Sequence, residues 1–200
     1  MKITRISVSV ADRDRELFAP ALIACFTPFG SLTEGVDTAL LASQIQLYLA
    51  KEGEEQVDLA GDILREVRSA RTDQWSAVEF DRWSIKFRTP TSGTVITANK
   101  YAGGIGVDVD FGPNGSESRA LTILAVAEKA KVRMEAFVRL TWQPGEKEID
   151  RGNLIVLLEE RAEAHLAWLN GLKEGYYNPE YRAEQTKKAE ADVAFFEKLQ

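Results

Sequence analysis

Apolar and polar residues alternate along residues 4–10, with Ile6, Val8 and Val10 on one side and Arg5, Ser7 and Ser9 on the other. That period of two is the pattern of a half-exposed strand. A charged turn at residues 11–16 leads into residues 17–29, LFAPALIACFTPF, which are apolar at nearly every position. Such a run reads as a strand covered on both faces, with Pro20 at its beginning or at a bulge and Pro28 at its end. The two segments are expected to pair as an antiparallel hairpin.

The period then lengthens. Asp37 is placed to cap a helix whose residues Leu40, Leu41, Ile45, Tyr48 and Leu49 form one apolar stripe, and Gly53 is its stop. A second helix turns Ala60, Ile63, Leu64 and Val67 inward and Asp62, Arg65, Glu66 and Arg68 outward. Strand character returns over residues 75–88, as one long strand or two short ones. Residues 90–93 have turn chemistry, and residues 94–101 resume the alternation. Gly103, Gly104 and Gly106 follow neither the dinucleotide-binding nor the P-loop pattern and read as a bend or bulge, after which Val107, Val109 and Phe111 alternate.

From Ser116 onward Ala120, Ile123, Leu124, Ala127, Ala130, Met134, Phe137 and Val138 follow helical spacing. Val132, Met134, Ala136, Val138, Leu140 and Trp142 also alternate, so residues 131–142 admit either a helix or a strand. Residues 143–148 read as a loop. Asp150 is a cap for a helix with Leu154, Ile155, Leu158, Ala162, Leu166, Leu169 and Leu172 on one face, ended by Gly175. Asn178 and Pro179 are an N-cap and first-position pair for a last helix over residues 180–199, which folds back on its predecessor as an antiparallel helical hairpin. The fold class is therefore α+β: an antiparallel sheet with two packed helices in the N-terminal half, and a helical C-terminal half. Residues 1–112 form the sheet domain and residues 116–200 a helical region packed on it.

Composition narrows the functional classes. The 200 residues are 44% hydrophobic, enough for a core without staples. The single cysteine, Cys25, excludes an intramolecular disulfide and reads as a buried reduced thiol, which fits a cytoplasmic protein. The first residues, MKITRISVSV, lack the apolar core of a signal peptide, and no apolar run is long enough to span a bilayer, so no membrane partner is expected. A formal charge of −6 argues against coating duplex DNA and leaves only a local polyanion site open.

The local site is the segment from Asp81 to Tyr101. After Asp81 no acidic residue appears until Asp108, and Arg82, Lys86, Arg88 and Lys100 lie among Trp83, Phe87 and Tyr101. Cations that follow phosphates and aromatics that stack on bases make up single-strand binding sheets. On a regular strand, however, Trp83, Ile85 and Phe87 leave the face opposite to Arg82, Lys86 and Arg88, so the rings enter the core and only the cations face outward. Asp108 and Asp110 form a D-x-D pair able to hold a divalent cation, yet Gly112 and Pro113 break the calcium-loop pattern. His165, the sole histidine, falls within an apolar helix face and reads as a packed side chain; with Cys25 alone beside it, neither a zinc site nor a nucleophilic triad assembles. At the C-terminal end Tyr176, Tyr177 and Tyr181 cluster at a helix junction, and Phe195 and Phe196 sit in the final turns, placed to contact a partner.

These features point to a non-enzymatic cytosolic binding or assembly protein without a cofactor. Its contacts to a protein partner or to a second copy would be the cationic sheet face at Arg82, Lys86, Arg88, Lys100 and Tyr101, and the last helix at Phe195 and Phe196. Two alternatives are a single-stranded nucleic-acid binder or recombination accessory, and a metal-assisted hydrolase using Asp108 and Asp110.

Overall fold

A computed structural model describes residues 2–32, 35–69, 77–89, 93–139, 146–173 and 175–200. The chain divides into two compact units, Met1–Glu148 and Ile149–Gln200. The first holds an α+β fold. Strands β1 (Lys2–Ala11), β2 (Ala77–Asp81), β3 (Ser84–Arg88), β4 (Val95–Tyr101), β5 (Gly104–Asp110), β6 (Glu135–Arg139) and β7 (Glu146–Ile149) form one sheet in the order β2-β3-β4-β5-β1-β6-β7. β2 to β5 are a meander, and β1 lies antiparallel between β5 and β6. The helices of this unit are α1 (Phe18–Phe26), α2 (Thr38–Ala50), α3 (Glu54–Ser69) and α4 (Glu117–Lys129).

The first strand is as its alternation predicts, but its partner is not. Residues 17–29 are not a strand: α1 occupies most of them, flanked by 3-10 turns at Asp12–Leu17 and Thr27–Leu32. An apolar run without polar breaks fits a helix buried on several sides as well as a two-faced strand. Pro20 falls in the first turn of α1, where its missing N–H has no intrahelical acceptor to lose. Phe18, Ala21, Leu22, Ala24, Cys25 and Phe26 are all buried, and β1 pairs instead with strands about a hundred residues later.

Of residues 131–142, which admitted helix or strand, the described part holds a strand, β6, and no helix, and residues 140–142 lie outside the described residues. α4 ends at Lys129, and Lys131 takes a left-handed φ of 58°. The Val132 amide then donates to the Ala127 carbonyl (2.8 Å) and the Lys131 amide to that of Glu128 (3.0 Å). This is a Schellman stop made with lysine where glycine is usual. β6 follows within five residues. Of the expected loop at residues 143–148, residues 143–145 lie outside the described residues and Glu146 to Glu148 belong to β7. Residues 75–88 contain two strands, β2 and β3, joined through Arg82 and Trp83; Trp75 and most of the turn at residues 90–93 lie outside the described residues. The glycine run is a hairpin turn, with Gly103 at φ 88°, and Gly104 already belongs to β5.

Capping and striping set the helix layer. Asp37 accepts hydrogen bonds from the amides of Ala39 (3.1 Å) and Leu40 (3.0 Å) and opens α2 as predicted. Leu41, Ala42, Ile45, Tyr48 and Leu49 are buried, whereas Leu40, assigned to the stripe from spacing, is 45% exposed. Phe26 of α1 meets Phe87 edge-on at 5.4 Å, and Tyr48 of α2 meets Phe80 at 5.5 Å. Phe80 and Phe87 share a sheet face by register, and α4 packs on α1, so one face of the sheet carries the helices.

The second unit is a helical hairpin of α5 (Arg151–Gly171) and α6 (Pro179–Glu197). Asp150 caps α5 through the Asn153 amide (3.1 Å), and Asn178 caps α6 through the Glu180 amide (2.9 Å). Its antiparallel sense follows from two contacts. Arg182, near the start of α6, donates to the carbonyls of Leu169 (2.9 Å) and Asn170 (3.2 Å) at the end of α5, and Gln200 reaches back to Glu159. The guanidinium thus serves the orphan carbonyls at the negative end of the α5 dipole. Among the described residues, no helix is long and apolar enough to cross a membrane.

Candidate binding surface on the polar sheet face

Strand parity sorts the side chains onto two faces. Ile6, Val8 and Val10 of β1 stand opposite Val109, Val107 and Ile105 of β5, and these continue through Ile96 and Ala98 of β4 to Phe87 and Ile85 of β3. All are buried. The intervening residues form the other face. One row across it reads Glu79, Lys86, Thr97, Asp108, Ser7 and Glu135, from β2 to β6. Within it Glu79 and Glu135 are exposed, and Lys86, Thr97, Asp108 and Ser7 are half-buried.

The centre of that face is a hydrogen-bonded cluster. The Ser7 hydroxyl donates to Asp108 Oδ1 at 2.5 Å, and the Asn99 amide donates to Asp108 Oδ2 at 2.6 Å. Both carboxylate oxygens therefore have protein donors, which holds three strands in one register. Asp110, two residues on, accepts from the Gly112 amide at 2.7 Å and stays exposed. Among the described residues, no group of three His, Cys, Asp or Glu side chains is placed to hold a metal ion.

Each cation singled out in the sequence has a definite setting. Lys86 and Arg88 lie on the polar face, opposite Ile85 and Phe87, as alternation predicts. Arg88 donates through Nε (2.7 Å) and Nη2 (3.3 Å) to the two oxygens of Glu79. The guanidinium hydrogen bond holds the Glu79 carboxyl below its usual range and raises Arg88. Arg82 and Trp83 are in the β2–β3 turn rather than on a strand face. Arg82 pairs with Glu52 at 2.9 Å, and that hydrogen bond, with the charges of Arg82 and then Lys100, lowers the Glu52 carboxyl. The Trp83 ring, 46% exposed and not in the core, has Arg82 at 4.7 Å and Lys100 at 5.3 Å. So Arg82 and Lys100 come together around Trp83, while Lys86 and Arg88 belong to the polar face.

Tyr101 rests on that polar face. A Cβ at Gly104 would come within 2.7 Å of the Tyr101 hydroxyl, and one at Gly106 within 3.3 Å of its ring and 2.7 Å of the Val8 carbonyl. The glycines of β5 thus make the floor on which the aromatic ring lies, a role that their spacing alone does not announce.

Other candidates are elsewhere. Burial, and then the Asp108 charge, raises the Cys25 thiol far above its ordinary value, so it is inert at neutral pH. His165 is exposed rather than packed in the helix interface, and stacks on Trp168 at 5.8 Å. Of the two terminal phenylalanines, Phe196 is buried at 2% exposure and Phe195 is half-buried against it. The exposed aromatics of the hairpin unit are at its other end, where Trp168 and Tyr176 both meet Tyr177, which also meets Tyr181. The tyrosines are visible in the sequence; the i, i+3 spacing of His165 and Trp168 was the further signal.

Sequence reasoning missed the acidic partners Glu79 and Glu52 and the uncharged residues Ser7, Thr97 and Asn99. Strand alternation was the signal that could have found the last three, since each shares parity with Asp108 or Lys86 across the ladder. Against known protein families, curated proteins and solved structures, the chain has no match.

Proposed function

We propose that this chain is a non-enzymatic binding or assembly protein of the cytosol, and that a protein partner docks on the polar sheet face around Asp108, Lys86 and Tyr101. One observation carries the reading. The face carries charges of both signs across the strands, Glu79, Lys86, Asp108 and Glu135 in one row and Arg88, Asp110 and Arg5 in the next, with Glu79, Arg88, Asp108 and Asp110 held by hydrogen bonds. Fixed polar groups cost little ordering entropy on docking, and interleaved charge confers selectivity for a partner with the matching pattern.

The same interleaving weighs against single-stranded nucleic acid, whose binding calls for an excess of one sign along a groove. Arg88 and Arg82 already have carboxylate partners. A metal-assisted hydrolase also finds little support, since Asp108 spends both oxygens on Ser7 and Asn99. A buried reduced thiol is compatible with the cytosol.

The test is a photo-crosslinking residue placed at Ser9, exposed on the polar face, beside one at Val57, which is 70% exposed on α3. The reading expects a discrete adduct, with another protein or with a second copy, from position 9 and not from position 57. No adduct from position 9, or identical adducts from both, would remove it. Salt-sensitive binding of a thirty-nucleotide single strand, abolished by Lys86→Glu, would replace it with the nucleic-acid reading.

A further inference from the structure

At the Asp12 end of the sheet the first unit contains a cleft of about 410 Å³, bounded by the 3-10 turn after β1, the last turns of α2 and the β4–β5 turn. That volume is within the range of sites for small organic ligands. Hydrogen bonds join the walls of the cleft to one another. The Asp12 amide donates to the Gly103 carbonyl at 3.0 Å, and Gln46 Nε2 to the Arg15 carbonyl at 3.2 Å. Its back is apolar, formed by Leu49 and Ile105, which are 1% and 4% exposed.

Its polar groups have unused capacity. Arg15 directs both Nε (3.0 Å) and Nη2 (2.7 Å) at one oxygen of Asp12, so among the described residues its Nη1 has no acceptor. The Lys100 ammonium has the Trp83 ring beside it, and no carboxylate within ion-pair distance among the described residues. Two positive charges thus face the one of Asp12 and the roughly half negative charge at the C-terminal end of α2. Glu52 and Arg82 cancel one another nearby. The balance is a positive excess beside an apolar wall.

We infer that this cleft binds a small organic anion with an apolar body, its acidic group on Lys100 and Arg15 and its body against Leu49 and Ile105. The cleft borders the polar sheet face and shares Tyr101 with it, but its anion-binding groups, Lys100 and Arg15, are not among those assigned to the partner, so the inference stands or falls separately from a partner there. An ammonium and a guanidinium together recognise a carboxylate, sulfonate or phosphate through charge-assisted hydrogen bonds, and the apolar wall rejects a free inorganic ion in favour of one carrying hydrocarbon.

The probe is the aromatic monoanion 1-anilinonaphthalene-8-sulfonate, followed by its fluorescence on the full chain, with uncharged N-phenyl-1-naphthylamine alongside. The expected result is saturable binding at one site. Lys100→Gln, and Ala50→Phe, which narrows the cleft, should each weaken it about tenfold or more, with Lys173→Gln in the hairpin unit leaving it within about twofold. The uncharged dye should bind about tenfold more weakly. Non-saturable binding, equal affinity for both dyes, or equal losses in the Lys100 and Lys173 variants would overturn the inference. If Lys100→Gln does not fold, amide chemical shifts of the unaltered protein decide: dye-induced shifts centred on Ala102, Gly103 and Gly104 uphold the site, and shifts centred elsewhere refute it.

Discussion

The two faces of the sheet use the same strands to opposite ends. On one, Ile6, Val8, Ile85, Phe87, Ile96 and Val107 are buried beneath helices and are held by packing. On the other, Ser7, Asn99, Asp108, Glu79 and Arg88 are held by directed polar contacts and stay partly exposed. Packing is non-directional and tolerates one apolar shape for another of similar volume. Hydrogen bonds between side chains fix particular atoms at particular distances. The apolar face therefore supplies stability, and the polar face supplies position.

Substitutions can break that contrast, and the apolar face should yield the largest effect. Phe87→Ala removes a fully buried ring that meets Phe26 and should cost about 3–5 kcal/mol in urea denaturation. A loss below about 1 kcal/mol would mean that the helix layer adds little to the sheet. Next comes Asp108→Ala, which deprives the half-buried Ser7 and Asn99 donors of their acceptor and should cost about 1–3 kcal/mol. If it cost as much as Phe87→Ala, the polar face would be a second core and not a presented surface.

The smallest effect belongs to Glu79→Gln. The folded-state carboxyl of Glu79 lies below its ordinary value of 4.5, so the pair with Arg88 adds stability that is fully present above that value. This contribution disappears as pH falls through the folded-state value. The variant should therefore have a slightly lower thermal midpoint than the parent at pH 7 and the same midpoint once the carboxyl is protonated. Because the pair is solvent-screened, added salt should shrink the difference at pH 7. A difference that persisted at acid pH would assign it to the side chain's packing and not to its charge.

Periodicity revealed most of the elements. The alternation in β1, β3, β4 and β5, the caps at Asp37, Asp150 and Asn178, and the closing helical hairpin all follow from local chemistry. Residues 17–29 did not, because a segment buried all round loses the polar positions by which strand and helix differ. The end of α4 was hidden for a different reason: Lys131 takes the backbone conformation that glycine normally signals. Of the site, parity located Lys86 and Arg88, since it is a property of one strand. Neutralisation of Arg82 by Glu52 depends on two elements brought together by the fold, and no local pattern encodes it.

The place of β1 has a consequence in time. Of the described strands it is made first, yet Ser7 meets Asp108, 101 positions further along the chain. The β2–β5 meander closes through neighbouring segments, whereas β1 must wait for both β5 and β6 to leave the ribosome. At about 5–20 residues per second, that delay is on the order of 5–20 s. For that interval an apolar, strand-forming segment is without its native neighbours, and docking it is the long-range closure expected to slow refolding. The first of these strands to be made thus enters the sheet only after the meander that follows it has been made.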